Sequence, residues 1–304
     1  MRNWYFSAIC LFSLIGLSCN HAATQQEHPS FKSVMGIKFT EVRRVFDNGL
    51  SFAQNGYQMK PDWQLTFVSM DSVNIYSPAK KRFLNCPVIF DHDSVFNVAW
   101  AWLKLRKLTK DSILFQVLHV ENQVISDRKS NMFMTLYADD YIKNKLHTTA
   151  AQLQHASRKD TLYIKKRIAE VTNVTDSAFS ATEQVALKSK SPLLQITQVM
   201  PEANLAGMEE PLPTYMLPEY NISIKKAYDD FYYSFSVIVD ARGEMQFYRS
   251  TTVLMPEFAE RTKKTIRAII AGYLKHYLDV APGKTLGMPH ASMILLNVRG
   301  TKAP

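Results

Sequence analysis

Alternation of apolar and polar residues dominates the first half of the chain. Leu65 and Phe67 alternate with polar neighbours, and similar short apolar runs recur with turn-forming pairs such as Asp-Ser between them. This alternation predicts half-buried β-strands, and the short links between them predict antiparallel pairing. The predicted strands lie within the segments 63–67, 73–76, 87–90, 95–105, 113–120 and 131–137.

The pattern changes to a helical period after the last of these strands. The segment 139–154 is predicted to form one amphipathic helix. Its apolar positions are Ile142, Leu146, Ala150 and Leu153. Residues 33–155 are therefore predicted to form an antiparallel β-domain with a terminal helix, and the strand spacing allows either a closed barrel or an open sheet.

Prolines concentrate in the middle of the chain. Five of the 13 prolines fall between residues 192 and 218. Because proline lacks a backbone donor, we expect short regular structure there, with one isolated strand at 193–199. Residues 156–225 are interpreted as an ordered connector that wraps a neighbouring domain.

Residues 226–304 combine both periodicities. Alternation over 233–239, a turn at Asp240–Gly243 and a second run over 244–251 predict a hairpin. A helix is predicted from Pro256, with an apolar stripe, and a last strand at 291–299. The stripe consists of Ile266, Ile269, Ile270, Tyr273, Leu274 and Tyr277. The predicted fold class is α+β: an N-terminal β-meander, a helix, a proline-rich connector and a C-terminal ββαβ domain.

The N-terminus has the proportions of a secretory signal. Arg2 precedes an apolar run, Trp4–Leu17, that is too short to span a bilayer comfortably. The run ends in Ile15-Gly16-Leu17-Ser18-Cys19 and resembles the lipobox of bacterial lipoproteins, with Gly16 where leucine is usual. That resemblance implies removal of residues 1–18, lipidation of Cys19 and a tether over 19–32. An ordinary signal peptide cut near Ala22-Ala23 is the alternative.

Charge and cysteine usage fit an exported protein. The formal net charge is +9, which in a cytosolic protein would favour nucleic acid as a partner. Export separates the chain from nucleic acid and leaves anionic lipids, envelope proteins or anionic polymers as partners. Beyond the signal region Cys86 is the one cysteine, so no internal disulfide is expected.

The sequence has no motif that predicts catalysis, a metal or a cofactor. H-E-x-x-H, G-x-S-x-G and a glycine-rich phosphate loop are absent. Asp91-His92-Asp93 is interpreted as a turn rather than a metal site, and Cys86 as a packed thiol rather than a nucleophile. We therefore expect a non-enzymatic protein without a cofactor.

Two sets of residues are candidates for binding. The polar face of the C-terminal helix carries Arg261, Lys263, Lys264, Arg267 and Lys275. These cations either bind an acidic envelope partner or polymer, or are solvated charges opposite a buried stripe. Trp100 and Trp102 either line an apolar pocket inside the meander or belong to its core.

Asp-Ser or Asp-Thr followed by an apolar residue recurs along the chain. This resembles the O-glycosylation acceptor pattern of some Gram-negative envelopes, although Asp-Ser is also typical of turns that precede strands. The candidate acceptors are Ser72, Ser94, Ser112, Thr161 and Ser177.

Two segments of the sequence resemble known folds. Phe235-Ser236-Val237-Ile238-Val239-Asp240-Ala241-Arg242-Gly243, the following helix and the Pro282-Gly283 loop resemble the TonB C-terminal domain. Residues 36–155 loosely resemble the β-meander of lipocalin-like barrels. The resemblances imply a membrane-anchored envelope lipoprotein that binds or organises partners in the periplasm, or alternatively a carrier of a small apolar ligand.

Overall fold

The computed structural model describes residues 28–78, 80–99, 101–171, 178–200, 213–253 and 255–303, and the predicted signal peptide and Cys19 lie outside them. The fold is mixed α+β, with mostly strands and few helices. The strands are β1 Lys38–Phe46, β2 Gln64–Phe67, β3 Ser72–Ser77, β4 Arg82–Phe90, β5 Val95–Val98, β6 Ala101–Leu108, β7 Ser112–Val117, β8 Val120–Glu121, β9 Val124–Ile125, β10 Met132–Ala138, β11 Ala186–Ser189, β12 Leu194–Val199, β13 Glu219–Ala227, β14 Phe231–Val239, β15 Met245–Ser250, β16 Leu278–Ala281, β17 Lys284–Thr285, β18 Met288–Pro289 and β19 Ser292–Lys302. The α-helices are α1 Ala150–Leu153, α2 Arg158–Val171, α3 Pro256–Ile269 and α4 Lys275–Tyr277, and a π-helical segment, Ile270–Leu274, joins the last two.

The first sheet closes into an eight-stranded antiparallel barrel. Its strand order is β1-β10-β7-β6-β5-β4-β3-β2, and β2 pairs back with β1. Leu65 and Phe67 of β2 point into the barrel, while the intervening polar positions are only half-buried. The predicted antiparallel meander is confirmed, and of the two forms that the sequence allowed, the closed barrel is the one observed.

Aromatic side chains fill the interior of the barrel. Phe31 enters from a short 3-10 turn, Lys32–Val34, and stacks on Phe67 with 4.0 Å between ring centroids. Phe96 packs edge-on against Phe31 at 5.4 Å and against Phe115 at 5.7 Å. All four rings are at most 1% exposed. An eight-stranded barrel is narrow enough for side chains to fill it, and here they do.

Two segments predicted as continuous elements are broken, and those predictions are wrong. The predicted strand 95–105 is the hairpin β5–β6, which turns at Ala99 with a φ of +45°. The predicted helix 139–154 is a π-helical turn, Tyr141–Lys145, followed by the separate helix α1. His147 interrupts it with a φ of +50°. Non-glycine residues with positive φ are uncommon and carry no local sequence signal.

The predicted connector holds more regular structure than its prolines suggest. Helix α2 has 14 residues and β13 has 9. The predicted isolated strand at 193–199 is β12, which pairs with β13. The predicted domain boundary at residue 226 falls inside β13, because that strand belongs to the C-terminal sheet.

The C-terminal sheet has five strands in the order β12-β13-β19-β14-β15. β14 and β15 form the predicted hairpin, and β19 pairs with β14 antiparallel and with β13 parallel. The apolar stripe of the C-terminal helix lies against one face of this sheet. Ile266 and Ile269 of α3 and Leu274 are at most 1% exposed, and they share a core with the inward residues of β14 and β19.

Asp160 joins α2 to the barrel. It is 1% exposed and forms a capping box with Ser157: each residue's backbone N–H donates to the other's side chain. The backbone N–H of Ser51 also donates to Asp160, at 2.8 Å, and Arg43 of β1 forms an ion pair with it at 3.4 Å. Burial alone raises the pKa of Asp160, but the hydrogen bonds from Ser157 and Ser51 outweigh it and hold the pKa below its ordinary value.

Protonation of Asp160 at acid pH is therefore expected to lower the stability of the fold. A carboxyl group with a lowered pKa contributes stability that is present above about pH 4 and is lost as pH falls through its folded-state pKa. We expect Asp160→Asn to lower the free energy of unfolding by about 2 kcal/mol at pH 7. The carboxylate accepts hydrogen bonds from Ser51 and Ser157 on its two oxygens, and the amide would place an N–H group against one of these donors. Denaturant melts from pH 7 to pH 3 should show a shallower loss of stability in Asp160→Asn than in the natural chain. Parallel slopes would contradict this assignment.

Candidate partner-binding groove

A groove of about 690 Å³ lies between β15 and the C-terminal helix. One wall is residues 242–247 and the other is formed by helical residues between 267 and 275 together with 278–280 of β16. Successive side chains of a strand point to opposite faces, so a lining of consecutive residues means that the groove follows the edge of β15. We call this site the edge groove.

β15 is an edge strand. Among the described strands it pairs with β14 alone. The backbone N–H of Asp240 donates to the carbonyl of Glu244 at 3.0 Å. Because backbone groups alternate in direction along a strand, those of Met245 and Phe247 point away from β14 and into the edge groove. An edge with unpaired backbone groups is a template for another extended chain.

The two walls of the edge groove come together at a glycine. Gly243 has a φ of +86°, a conformation that side chains disfavour. A Cβ atom at this position would lie 2.4 Å from the carbonyl oxygen of Val280. Glycine thus lets the β14–β15 turn touch β16, and the two walls of the edge groove meet at this contact.

The floor of the edge groove is apolar with charged margins. Ile270 and Leu274 lie at its base. The guanidinium of Arg267 lies over the ring of Phe247, 5.5 Å from its centroid. Lys275 forms an ion pair with Glu244 at 3.1 Å, which ties the helix to the strand. The groove therefore offers apolar contact, unpaired backbone groups and one stacked guanidinium.

The predicted basic face is divided by the structure. Arg267 and Lys275 line the edge groove, whereas Arg261, Lys263 and Lys264 do not. Lys263 is held by Glu260 at 2.8 Å, and this bond lowers the pKa of Glu260. Arg261 and Lys264 are exposed. The five cations thus do not act as one patch, because ion pairs occupy two of them.

The predicted tryptophan pocket lies only partly within the described residues. Trp100 lies outside them. Trp102 is half-buried and precedes Leu103, which is 1% exposed and points inward. Trp102 does not belong to the apolar cluster described for the barrel interior. Alternation along β6 places its side chain on the outer surface, so it does not line a pocket inside the barrel.

The other sequence candidates have structural roles. His92 bonds to Asp91 at 2.7 Å in an exposed turn. Cys86 is buried in the barrel, and burial raises the pKa of its thiol. Within the described ranges no three histidine, cysteine, aspartate or glutamate side chains are grouped to hold a metal. In the same part of the chain no helix is long and apolar enough to cross a membrane.

The candidate glycosylation acceptors lie in different settings. Ser72 and Ser112 begin strands, and Ser94 lies in the β4–β5 turn. Thr161 lies inside α2 and donates to the carbonyl of Ser157 at 3.1 Å. Ser177 lies outside the described residues. The Asp-Ser pairs at strand starts thus have the turn geometry that explains them without modification.

Buried His290 is a residue that the sequence did not single out. It stacks on Phe179 with 3.9 Å between ring centroids, and its Nε2 lies 2.9 Å from the hydroxyl of Thr285. Burial lowers its pKa. Because Phe179 precedes the C-terminal sheet and Thr285 follows its helix, His290 fixes the packing between these segments.

No protein-family model matches the sequence, and a search of curated proteins finds no significant match. The function is therefore inferred from the edge groove itself. Sequence reasoning identified Arg267 and Lys275 from their helical face but missed the contribution of 242–247. The predicted hairpin was the available signal, since a hairpin at the margin of a sheet has a free edge.

Proposed function

We propose that this protein is a non-enzymatic lipoprotein of the cell envelope that binds a partner protein in its edge groove. The observation that carries the proposal is the free edge of β15 beside an apolar floor and the guanidinium of Arg267. This combination suits an extended segment of a partner: backbone groups pair along the edge, and side chains enter the groove. A carboxylate on the segment would face Arg267.

The order of elements in the C-terminal unit supports this proposal. A hairpin, a helix and a closing strand follow one another, as in the TonB C-terminal domain that the sequence resembles. This chain adds β12 and β13 beyond β19. The added strands leave β15 as an accessible edge on the opposite side of the sheet.

The packing of the barrel favours a binding protein over a carrier. A carrier needs an internal cavity of a few hundred Å³ for a small ligand. The rings of Phe31, Phe67, Phe96 and Phe115 instead contact one another across the interior. We infer that the barrel is a structural module.

Membrane attachment is proposed to depend on Cys19. We expect Cys19→Ala to move the protein from the membrane fraction to the soluble fraction, because acyl chains supply about 0.8 kcal/mol per buried CH₂. Cys86→Ala is the matched control and should leave the fractionation unchanged. Mass spectrometry of the mature N-terminus should find a lipidated residue 19. Equal membrane retention of all forms, with no lipid mass, would contradict the proposal.

Binding in the edge groove is tested by charge reversal. We expect Arg267→Glu to weaken binding of a synthetic peptide of alternating valine and glutamate about tenfold or more, since a cation becomes a like charge beside the ligand. Lys263→Glu is the control, because it lies on the same helix but outside the groove. The difference in peptide affinity between Arg267→Glu and Lys263→Glu should become smaller at high salt, where exposed charges are screened. Equal effects of the two variants would refute the site.

A further inference from the structure

The described chain begins at one end of the barrel, which we call the tether end. His28 stacks on Phe90 of β4 with 5.0 Å between ring centroids. Two residues later the hydroxyl of Ser30 contacts the sulfur of Met70 at 3.8 Å, in the β2–β3 turn. The N-terminal segment thus lies against the β2–β3 turn and the end of β4 before Phe31 enters the core.

Large apolar side chains are exposed around this point. Val68 is 47% exposed, Met70 is 38% exposed and Ile89 is 55% exposed. They are neighbours in space, because the backbone N–H of Val88 donates to the carbonyl of Asp71 at 2.8 Å. Exposed apolar residues that occur together, unlike scattered ones, mark an interaction surface.

We propose that the tether end faces the membrane and that Val68, Met70 and Ile89 enter the lipid interface. This inference rests on the proposed lipidation of Cys19. Eight residues lie between Cys19 and His28, and an extended chain of that length spans at most about 30 Å. The tether alone holds the barrel near the bilayer in any orientation. The apolar side chains around its attachment point select the orientation in which they are buried.

Charge does not explain this surface. Lys32, Asp71 and Asp91 are exposed on the three segments that meet at the tether end. Such mixed charges give little net attraction to anionic lipid, so apolar contact sets the orientation. The expected contact therefore depends weakly on salt and on the fraction of anionic lipid.

An environment-sensitive fluorophore is attached to the cysteine of Met70→Cys in the full chain, and Cys86→Ser removes the other cysteine of the folded body. The labelled protein is purified from membranes and reconstituted into phosphatidylcholine vesicles. The matched control is Val124→Cys. Val124 is 66% exposed and lies in the β8–β9 hairpin, which follows β7 at the opposite end of the barrel. We expect the label at residue 70, and not at 124, to rise at least about twofold in intensity and to be quenched by spin-labelled lipid.

The possible results separate the proposed orientation from the proposed lipid anchor. A vesicle-bound, lipidated protein whose label at residue 70 stays in water would overturn the orientation and leave the lipid anchor intact. A protein without lipid at residue 19 that does not bind vesicles would overturn both. Met70→Glu provides a second reading: it should abolish the signal of a label at Ile89→Cys while the protein stays vesicle-bound through its lipid.

Discussion

Ile266→Asp is expected to unfold the C-terminal sheet and helix. Ile266 is fully buried and lies in the core that also contains Phe235, Val237 and Leu296. A carboxylate there is either buried without a partner or expels the helix from the sheet, and both outcomes remove most of the apolar burial of α3. We expect a loss of about 4 kcal/mol or more, a large part of the stability of an ordinary domain.

The control for this substitution lies two residues away on the same helix. Lys264 is exposed, and Lys264→Asp should change stability by roughly 0.5 kcal/mol or less. Denaturant unfolding followed by circular dichroism measures both variants. Similar shifts of the two transitions would mean that the apolar stripe does not pack as described.

Glu41→Ala is expected to destabilise the barrel by about 3–5 kcal/mol. The Glu41 carboxylate is fully buried. It accepts two hydrogen bonds from Arg44, at 2.8 and 2.7 Å, and one each from the backbone N–H groups of Asp62 and Trp63, both at 3.0 Å. Burial raises the pKa of Glu41, although these bonds oppose the rise. Removing the carboxylate leaves a partly buried guanidinium and two amides without their acceptor.

Two further variants separate this ion pair from its surroundings. Asp62, whose side chain is 51% exposed, also binds Arg44, at 2.8 Å. Asp62→Asn should cost about 1 kcal/mol or less, as exposed pairs do. Glu41→Met combined with Arg44→Met should recover part of the loss, because no buried guanidinium is then left without its carboxylate, while the backbone N–H groups of Asp62 and Trp63 still lack their acceptor. Urea melts followed by tryptophan fluorescence test the series, and a double variant as unstable as Glu41→Ala would refute the explanation.

Local periodicity made part of this fold predictable. The stripe that contains Ile266, Ile269 and Leu274 repeats every three or four residues, so one buried face was visible in the sequence. The alternation around Leu65 likewise identified a strand and its inward side. These features depend on neighbours in the chain, and the structure confirms them.

The remaining features depend on pairings between distant residues. Closure of the barrel requires β1 to pair with both β2 and β10, and no local pattern specifies that. The edge groove forms because β16 returns beside Gly243, about forty residues later in the chain. The breaks at Ala99 and His147 escaped prediction because ordinary residues adopt positive φ there without a glycine to indicate it.

The edge groove is tested most directly by photo-crosslinking in cells of the source organism. A crosslinking amino acid replaces Gln246, which is exposed on β15, or Asn221, which is exposed on β13 of the same sheet. We expect one discrete protein adduct from position 246, its loss in the Arg267→Glu background, and no matching adduct from position 221. Identical adducts from both positions, or an adduct at 246 that survives Arg267→Glu unchanged, would contradict a partner site in the edge groove.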